Sequence, residues 1–189
     1  MDYAIRLATF ADKPELEALI ARSARELGTA VYSPAQIEGA LRGAFGVDTQ
    51  LIADGTYFVV SHADALIGCG GWSCRQTLFG GDAGANRDAA ALDPRSDAAR
   101  IRAFFVDAAY ARLGIGTMLL QHCENAARAR GFSSFELMAT LPGVPLYAAR
   151  GYVAGTPVQI PLAAASPDAV EPLTIEFVPM RKSENGQKL

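Results

Sequence analysis

At 189 residues and a net charge of −3, the chain is long enough for one domain with a sizeable core. Its charge argues against a nucleic-acid partner, because such binders carry a basic patch or stripe. Half the residues are apolar and a fifth are charged, an ordinary globular balance, and no run of about 18 apolar residues offers a membrane span.

The opening MDYAIRLATFADKPE carries early acids and no apolar core, so it does not read as a signal peptide. Cys69, Cys74 and Cys123 lack metal-ligand spacing, and their odd number suits free thiols in a reducing cytosol. His62 and His122 are far apart, so no metal site is expected. A cytoplasmic location is the resulting expectation.

In chain order, Ala4 to Leu7 reads as a short strand. Asp12, Pro14 and Glu15 signal a helix start, and Leu16, Leu19, Ile20, Ala24 and Leu27 recur at helical spacing before Gly28. Ser33-Pro34-Ala35-Gln36 opens a second helix that buries Ile37, Ala40, Leu41 and Ala44. Thr56–Ser61 and Leu66–Trp72 are β-rich runs, joined through His62-Ala63-Asp64 as a hairpin. From Phe79 to Ala99 the only long aliphatic side chain is Leu92, which predicts a mobile loop.

Ile101 to Val106 is the next strand, followed by a glycine turn and a helix bearing Ile115, Met118, Leu119, Cys123 and Ala126 on one side, closed by Gly131. Phe135 to Ala139 is a strand, Pro145 to Arg150 a short helix and Leu173 to Met180 a last strand. One strand–helix–strand crossover among hairpins predicts a mixed α/β sheet, not a regular βαβ series. The domain is expected over residues 1–182, with a polar, frayed tail over 183–189.

The sharpest feature is Ala111-Arg112-Leu113-Gly114-Ile115-Gly116-Thr117, a glycine turn between a strand and a helix. Helix-start amides have no intrahelical partner, the helix dipole favours negative charge, and glycines keep side chains out of the way. That combination can hold a pyrophosphate without a metal. No Lys-Ser/Thr follows the glycines, so it is not a Walker A loop, and the third glycine of a dinucleotide fingerprint is missing.

With Tyr147-Ala148-Ala149-Arg150-Gly151-Tyr152 downstream, the segment Ile101–Tyr152 resembles the acyl-CoA-binding region of the GNAT N-acetyltransferase superfamily. The resemblance implies a twisted mixed α/β sheet, splayed between the strands Ile101–Val106 and Phe135–Ala139, with acetyl-CoA as co-substrate in the splay. It implies that backbone groups of Phe104, Phe105 and Val106 bind the pantetheine arm. The amides of Arg112, Leu113, Gly114, Ile115, Gly116 and Thr117 would hold the pyrophosphate, and Tyr147 would protonate the departing thiolate. A phenol of pKa about 10 suits a thiolate whose conjugate acid is about 8.5. Two positions depart from the family pattern. Ala111 stands where Gln or Arg is usual, and Val106-Asp107-Ala108 replaces a proline after the strand.

Freeing an alkylamine of pKa about 10.4 at pH 7 costs about 4.6 kcal/mol, so a base is wanted. Glu136 is the best carboxylate candidate, although strand alternation also suits it as a solvent-facing charge. Asp93 and Asp97 are further candidates, and a water chain to bulk is the alternative. Tyr32, Trp72 and Arg75 are candidates for acceptor contacts. The reading is an N-acetyltransferase acting by direct attack on a small-molecule amine. A non-catalytic acyl-CoA sensor, a protein-amine acetyltransferase and a site for another nucleotide remain as alternatives. Exposed edge strands leave room for a homodimer.

Overall fold

The computed structural model describes residues 2–84, 87–162 and 173–183. The elements run β1 (Ala4–Leu7), α1 (Lys13–Gly28), α2 (Pro34–Leu41), α3 (Thr49–Ala53), β2 (Tyr57–His62), β3 (Ala65–Ser73), β4 (Ala99–Val106) and α4 (Ile115–Ala129). They continue with β5 (Ser134–Thr140), α5 (Val144–Ala148), β6 (Val153–Ala154), β7 (Val158–Pro161) and β8 (Thr174–Ser183).

Local chemistry accounts for the boundaries. Pro14 sits in the first turn of α1, whose buried residues Leu16, Leu19, Ile20 and Ala24 share one face. Ser33 and Gln36 cap α2 reciprocally: the Gln36 N–H donates to Ser33 Oγ at 3.2 Å, and the Ser33 N–H to Gln36 Oε1 at 2.9 Å. Ala63 and Asp64 both have positive φ, the geometry a two-residue hairpin loop requires.

The eight strands form one mixed sheet in the order β1-β2-β3-β4-β5-β8-β6, with β7 also on β8. Every pairing is antiparallel except β4 with β5. Helices α1 to α3 cover one face, where Val59 and Cys69 join their core. Helix α4 covers the other face, over Val60, Ile67, Ile101 and Phe135.

Two features of this sheet shape the site. β4 and β5 pair only at Ala99↔Phe135 and Arg100↔Glu136, after which the strands part. β4 also carries a bulge: Cys69 faces Phe105 and Gly71 faces Arg102, so Gly70 alone opposes Ala103 and Phe104. Ala103 takes φ +57° there, and a Cβ on Gly70 would come within 2.7 Å of the Phe104 ring. Glycine at position 70 is therefore what lets that ring lie over the strand.

The expected mobile loop between Phe79 and Ala99 is corrected. Gln76 N–H donates to Ala90 O at 2.9 Å and Leu92 N–H to Cys74 O at 2.8 Å, with Leu92 buried. Asp82 Oδ1 accepts from the Thr49 amide at 2.8 Å. Fully buried Asp48 pairs with Arg87 at 2.6 Å and Arg102 at 2.7 Å. Charged side chains and backbone bonds order the described part of this segment, and counting apolar residues does not detect them.

β8 runs to Ser183, past the expected end at Met180, because Arg181 binds Glu136 and Lys182 binds Glu124. Ser183 of the expected tail lies in this strand, and residues 184–189 lie outside the described residues. The short elements α3, β6 and β7 have no counterpart in the sequence reading.

Asp48 supplies a testable consequence. Asp48→Asn leaves a buried guanidinium without its counter-charge and should lower stability by about 3–5 kcal/mol in urea unfolding, whereas the more exposed Arg87→Gln should cost less.

Candidate active site

The glycine turn folds as its composition demands. Asp107 Oδ1 accepts from the Ala109 amide at 3.0 Å, starting a tight turn that Arg22 secures at 3.1 Å from Asp107. Arg112 (φ +65°) and Gly114 (φ +88°) then reverse the chain into α4. Among the described residues no side chain caps this helix, and Met118 makes the bond back to Gly114 O at 3.0 Å. The amides of Ile115, Gly116 and Thr117 precede it in the first turn. A Cβ at Gly116 would strike Leu146 at 2.9 Å, so glycine there admits α5.

A cleft of about 540 Å³ opens where β4 and β5 part. Phe104, Phe105 and Val106 form one wall, residues of the turn from Ala111 to Thr117 the end, and Thr140 to Tyr147 the opposite wall. Of the nine residues expected to bind a cofactor, the cleft gathers all but Leu113, which is exposed. Arg150 also lines it and donates to Thr117 Oγ1 at 3.3 Å, adding a second guanidinium beside Arg112. Arg150 was not singled out in the sequence, although it stands just before Gly151 of the Tyr-x-x-x-Gly signature.

Tyr147 is only 7% exposed and borders both the cleft and a smaller cavity of about 60 Å³ behind it. Its ring packs edge-on against Phe104 and Tyr152, at 6.2 and 5.8 Å between centroids. Its hydroxyl bonds to none of the described residues. Burial, with a smaller contribution from Cys123, holds its phenol well above the ordinary range, so it stays protonated at neutral pH.

The β4 bulge is anchored from beneath. The Ala103 carbonyl lies 3.5 Å from Tyr57 Oη and 3.7 Å from Cys69 Sγ. Burial pushes the Cys69 thiol up to about 12, so it stays a neutral donor and not a nucleophile. Across the cleft, the Tyr32 hydroxyl donates to Glu176 O and accepts from the Leu141 amide, both at 2.8 Å. That bridge fixes the turn leading into α5, and Tyr32 itself lines the cleft.

Several sequence candidates lie elsewhere. Glu136 is buried at 8% exposure, not solvent-facing, and is held by Arg100 and by Arg181 Nε at 2.7 Å. It borders neither cavity. Its strand position is at the pinned end of the sheet, where β4 and β5 still pair. Asp93 is paired with Arg95, and Asp97 accepts from the Asp93 amide at 2.7 Å; neither lines the cleft. Trp72 packs against Phe132 in the α4 core, and Arg75 is paired with Asp54. Among the described residues no Asp or Glu lines either cavity, and no group of His, Cys, Asp or Glu could hold a metal ion.

Residues 23–152 match the model of the Acetyltransferase (GNAT) family. The chain belongs to that family. It is an acyltransferase, and its mixed sheet is the GNAT fold. A GCN5-related N-acetyltransferase from Rhodopseudomonas palustris superposes with TM-score 0.69 at 20% identity, covering 97% of this chain and 96% of that one. PaiA N-acetyltransferase from Thermoplasma acidophilum, solved with coenzyme A, gives 0.65 at 16% identity, covering 97% and 99%. Ribosomal-protein-alanine N-acetyltransferase from Brucella melitensis gives 0.60 at 15% identity, covering 95% and 99%. No curated protein sequence matches the chain. Among the described residues, no helix is long and apolar enough to cross a membrane.

The position of Glu136 gives a direct test. Glu136→Gln should leave acetyl-transfer turnover unchanged while lowering the thermal midpoint, in contrast to the ~10²–10⁴-fold loss that follows removal of a general base.

Proposed function

We propose that the chain transfers an acetyl group from acetyl-CoA to a primary amine of a small molecule. The observation that carries this is the single cleft that gathers the parted edge of β4, the uncapped start of α4 and the Tyr147 phenol. The pyrophosphate is held by amides of the turn from Arg112 to Thr117, with Arg112 and Arg150 adding charge. The pantetheine amides bond the open backbone of Phe104, Phe105 and Val106, which β5 leaves without a partner strand.

The amine nitrogen attacks the thioester carbonyl, forming a C–N bond and a tetrahedral oxyanion that backbone N–H groups near the bulge stabilise. Collapse breaks the C–S bond. The thiolate takes a proton from Tyr147, and the nitrogen loses one to water in the cleft. No carboxylate base is invoked, in keeping with the described lining. The small inner cavity beside Tyr147 has room for a small acceptor.

Calorimetric titration with acetyl-CoA tests the binding half. Wild type should bind, and Gly114→Trp, folded by circular dichroism, should not. Tyr147→Phe tests the chemistry: turnover should fall by ~10²–10⁴-fold with acetyl-CoA affinity retained, whereas a sensor would lose nothing. Because the Tyr147 pKa is raised, the acid stays protonated as pH climbs. Its loss should therefore limit the wild-type rate only above about pH 10.

A further inference from the structure

The smaller cavity shares Phe104, Phe105 and Tyr147 with the cleft, so it opens beside the reacting end of the site. Its volume of about 60 Å³ is several times the ~10–15 Å³ that one water needs. That is room for a carboxylate group and a short stem. Phe79 and Phe177 wall it with rings 5.7 Å apart, and Arg102 is the charged residue that borders it.

Arg102 is unusual in three ways. Its side chain is only 2% exposed. Its Nη2 serves both of its contacts, pairing with Asp48 Oδ2 at 2.7 Å and donating to Gly80 O at 2.8 Å. Its Nε is buried and bonds none of the described residues. Nη1 likewise bonds none of the described residues and, unlike Nε, keeps accessible surface, so it is the nitrogen free to meet an acceptor from water or from a ligand. The local charge has the same sense. Asp48 is shared between Arg102 and Arg87, so two guanidiniums face one carboxylate and one positive charge remains in excess.

We propose that Arg102 receives a carboxylate of the acceptor, which makes the acceptor a compact amine bearing a carboxylate, as in an amino acid. The inference rests on the acetyl-transfer reading above. The carboxylate oxygen accepts from Arg102 Nη1 while the amine lies at the cavity mouth, near Tyr147 and the thioester. A cationic alkylamine without a carboxylate meets the Arg102 charge instead and is disfavoured. Arg102 is thus a specificity residue that contacts the acceptor, in addition to helping hold the segment at Gly80.

The test is a matched panel: amino acids, their amides and the corresponding decarboxylated amines, assayed for thiol release at saturating acetyl-CoA. Amino acids should be preferred over their amides by at least about tenfold in kcat/KM, chiefly through KM. Arg102→Gln should remove that preference, and Arg102→Lys should keep part of it. Arg87→Gln, which removes the excess charge without touching the cavity, should weaken folding and reduce the preference without abolishing it. A purely structural Arg102 would lower stability and affect all acceptors alike. Amides or decarboxylated amines accepted as well as amino acids, a preference surviving in Arg102→Gln, or no amino acid acetylated by enzyme that binds acetyl-CoA would each overturn the proposal.

Propionate, a carboxylate without an amine, gives a readout that is independent of acetyl-CoA. It should shift the Ala103 and Phe104 amide resonances in wild type and not in Arg102→Gln; no shift in wild type overturns the proposal. Failure of acetyl-CoA to bind contradicts the acetyl-transfer reading instead, so the two failures are distinguishable.

Discussion

Two residue pairings, Ala99 with Phe135 and Arg100 with Glu136, join β4 to β5, and the ladder between these parallel strands stops there. Beyond them β4 continues to Val106 with no partner strand on that side among the described residues. Backbone N–H and C=O groups in a protein interior need partners, so an unzipped seam inside a sheet is stable only where solvent or a ligand enters. The cleft follows from that constraint. α4, the crossover between the parting strands, begins at the mouth of the seam and turns its uncapped amides toward the same space. Tyr147 comes from the short helix after β5, and Tyr32 holds the turn before it.

Charge is used mainly to keep the seam's surroundings rigid. Three buried carboxylates are each met by two cations: Asp48 by Arg87 and Arg102, Glu136 by Arg100 and Arg181, and Glu124 by Arg128 and Lys182. Tyr152 also donates to Glu124 at 3.0 Å, and its ring supports that of Tyr147. These clusters tie the segment after β3, the seam's closed end and the last strand to the rest of the sheet. The described lining of the cleft holds apolar side chains such as Phe104, Phe105 and Leu146, together with backbone amides, two arginines and phenols. Such a surface suits a polyanionic nucleotide tail, with a buried phenol at the reacting end.

The glycine turn and Tyr147 were legible in the sequence because each has a local signature, and the seam followed only from the family resemblance that they carry. An apolar strand running into Gly114 and Gly116 and a tyrosine four residues before Gly151 are patterns of residue type and spacing. The Ala103 bulge was not legible, since alanine gives no sign of a positive φ; the hint lay on the partner strand, in the Gly70-Gly71 pair. Glu136 was misjudged because alternation identifies a face but not its partners, and Arg100 and Arg181 arrive from strands far apart in sequence. The segment after Phe79 was misjudged for the same reason. Its order comes from Asp48 and Thr49, more than thirty residues earlier. The strands β6 and β7 are too short, at two and four residues, to show a period.

The most direct measurement is amide hydrogen exchange, residue by residue, with and without acetyl-CoA. The account predicts slowed exchange at two separated segments together, the β4 edge from Phe104 to Val106 and the α4 start from Gly114 to Thr117. Binding with protection confined to other segments, or with these two unchanged, would contradict the claim that the parted seam and the uncapped helix form one nucleotide site.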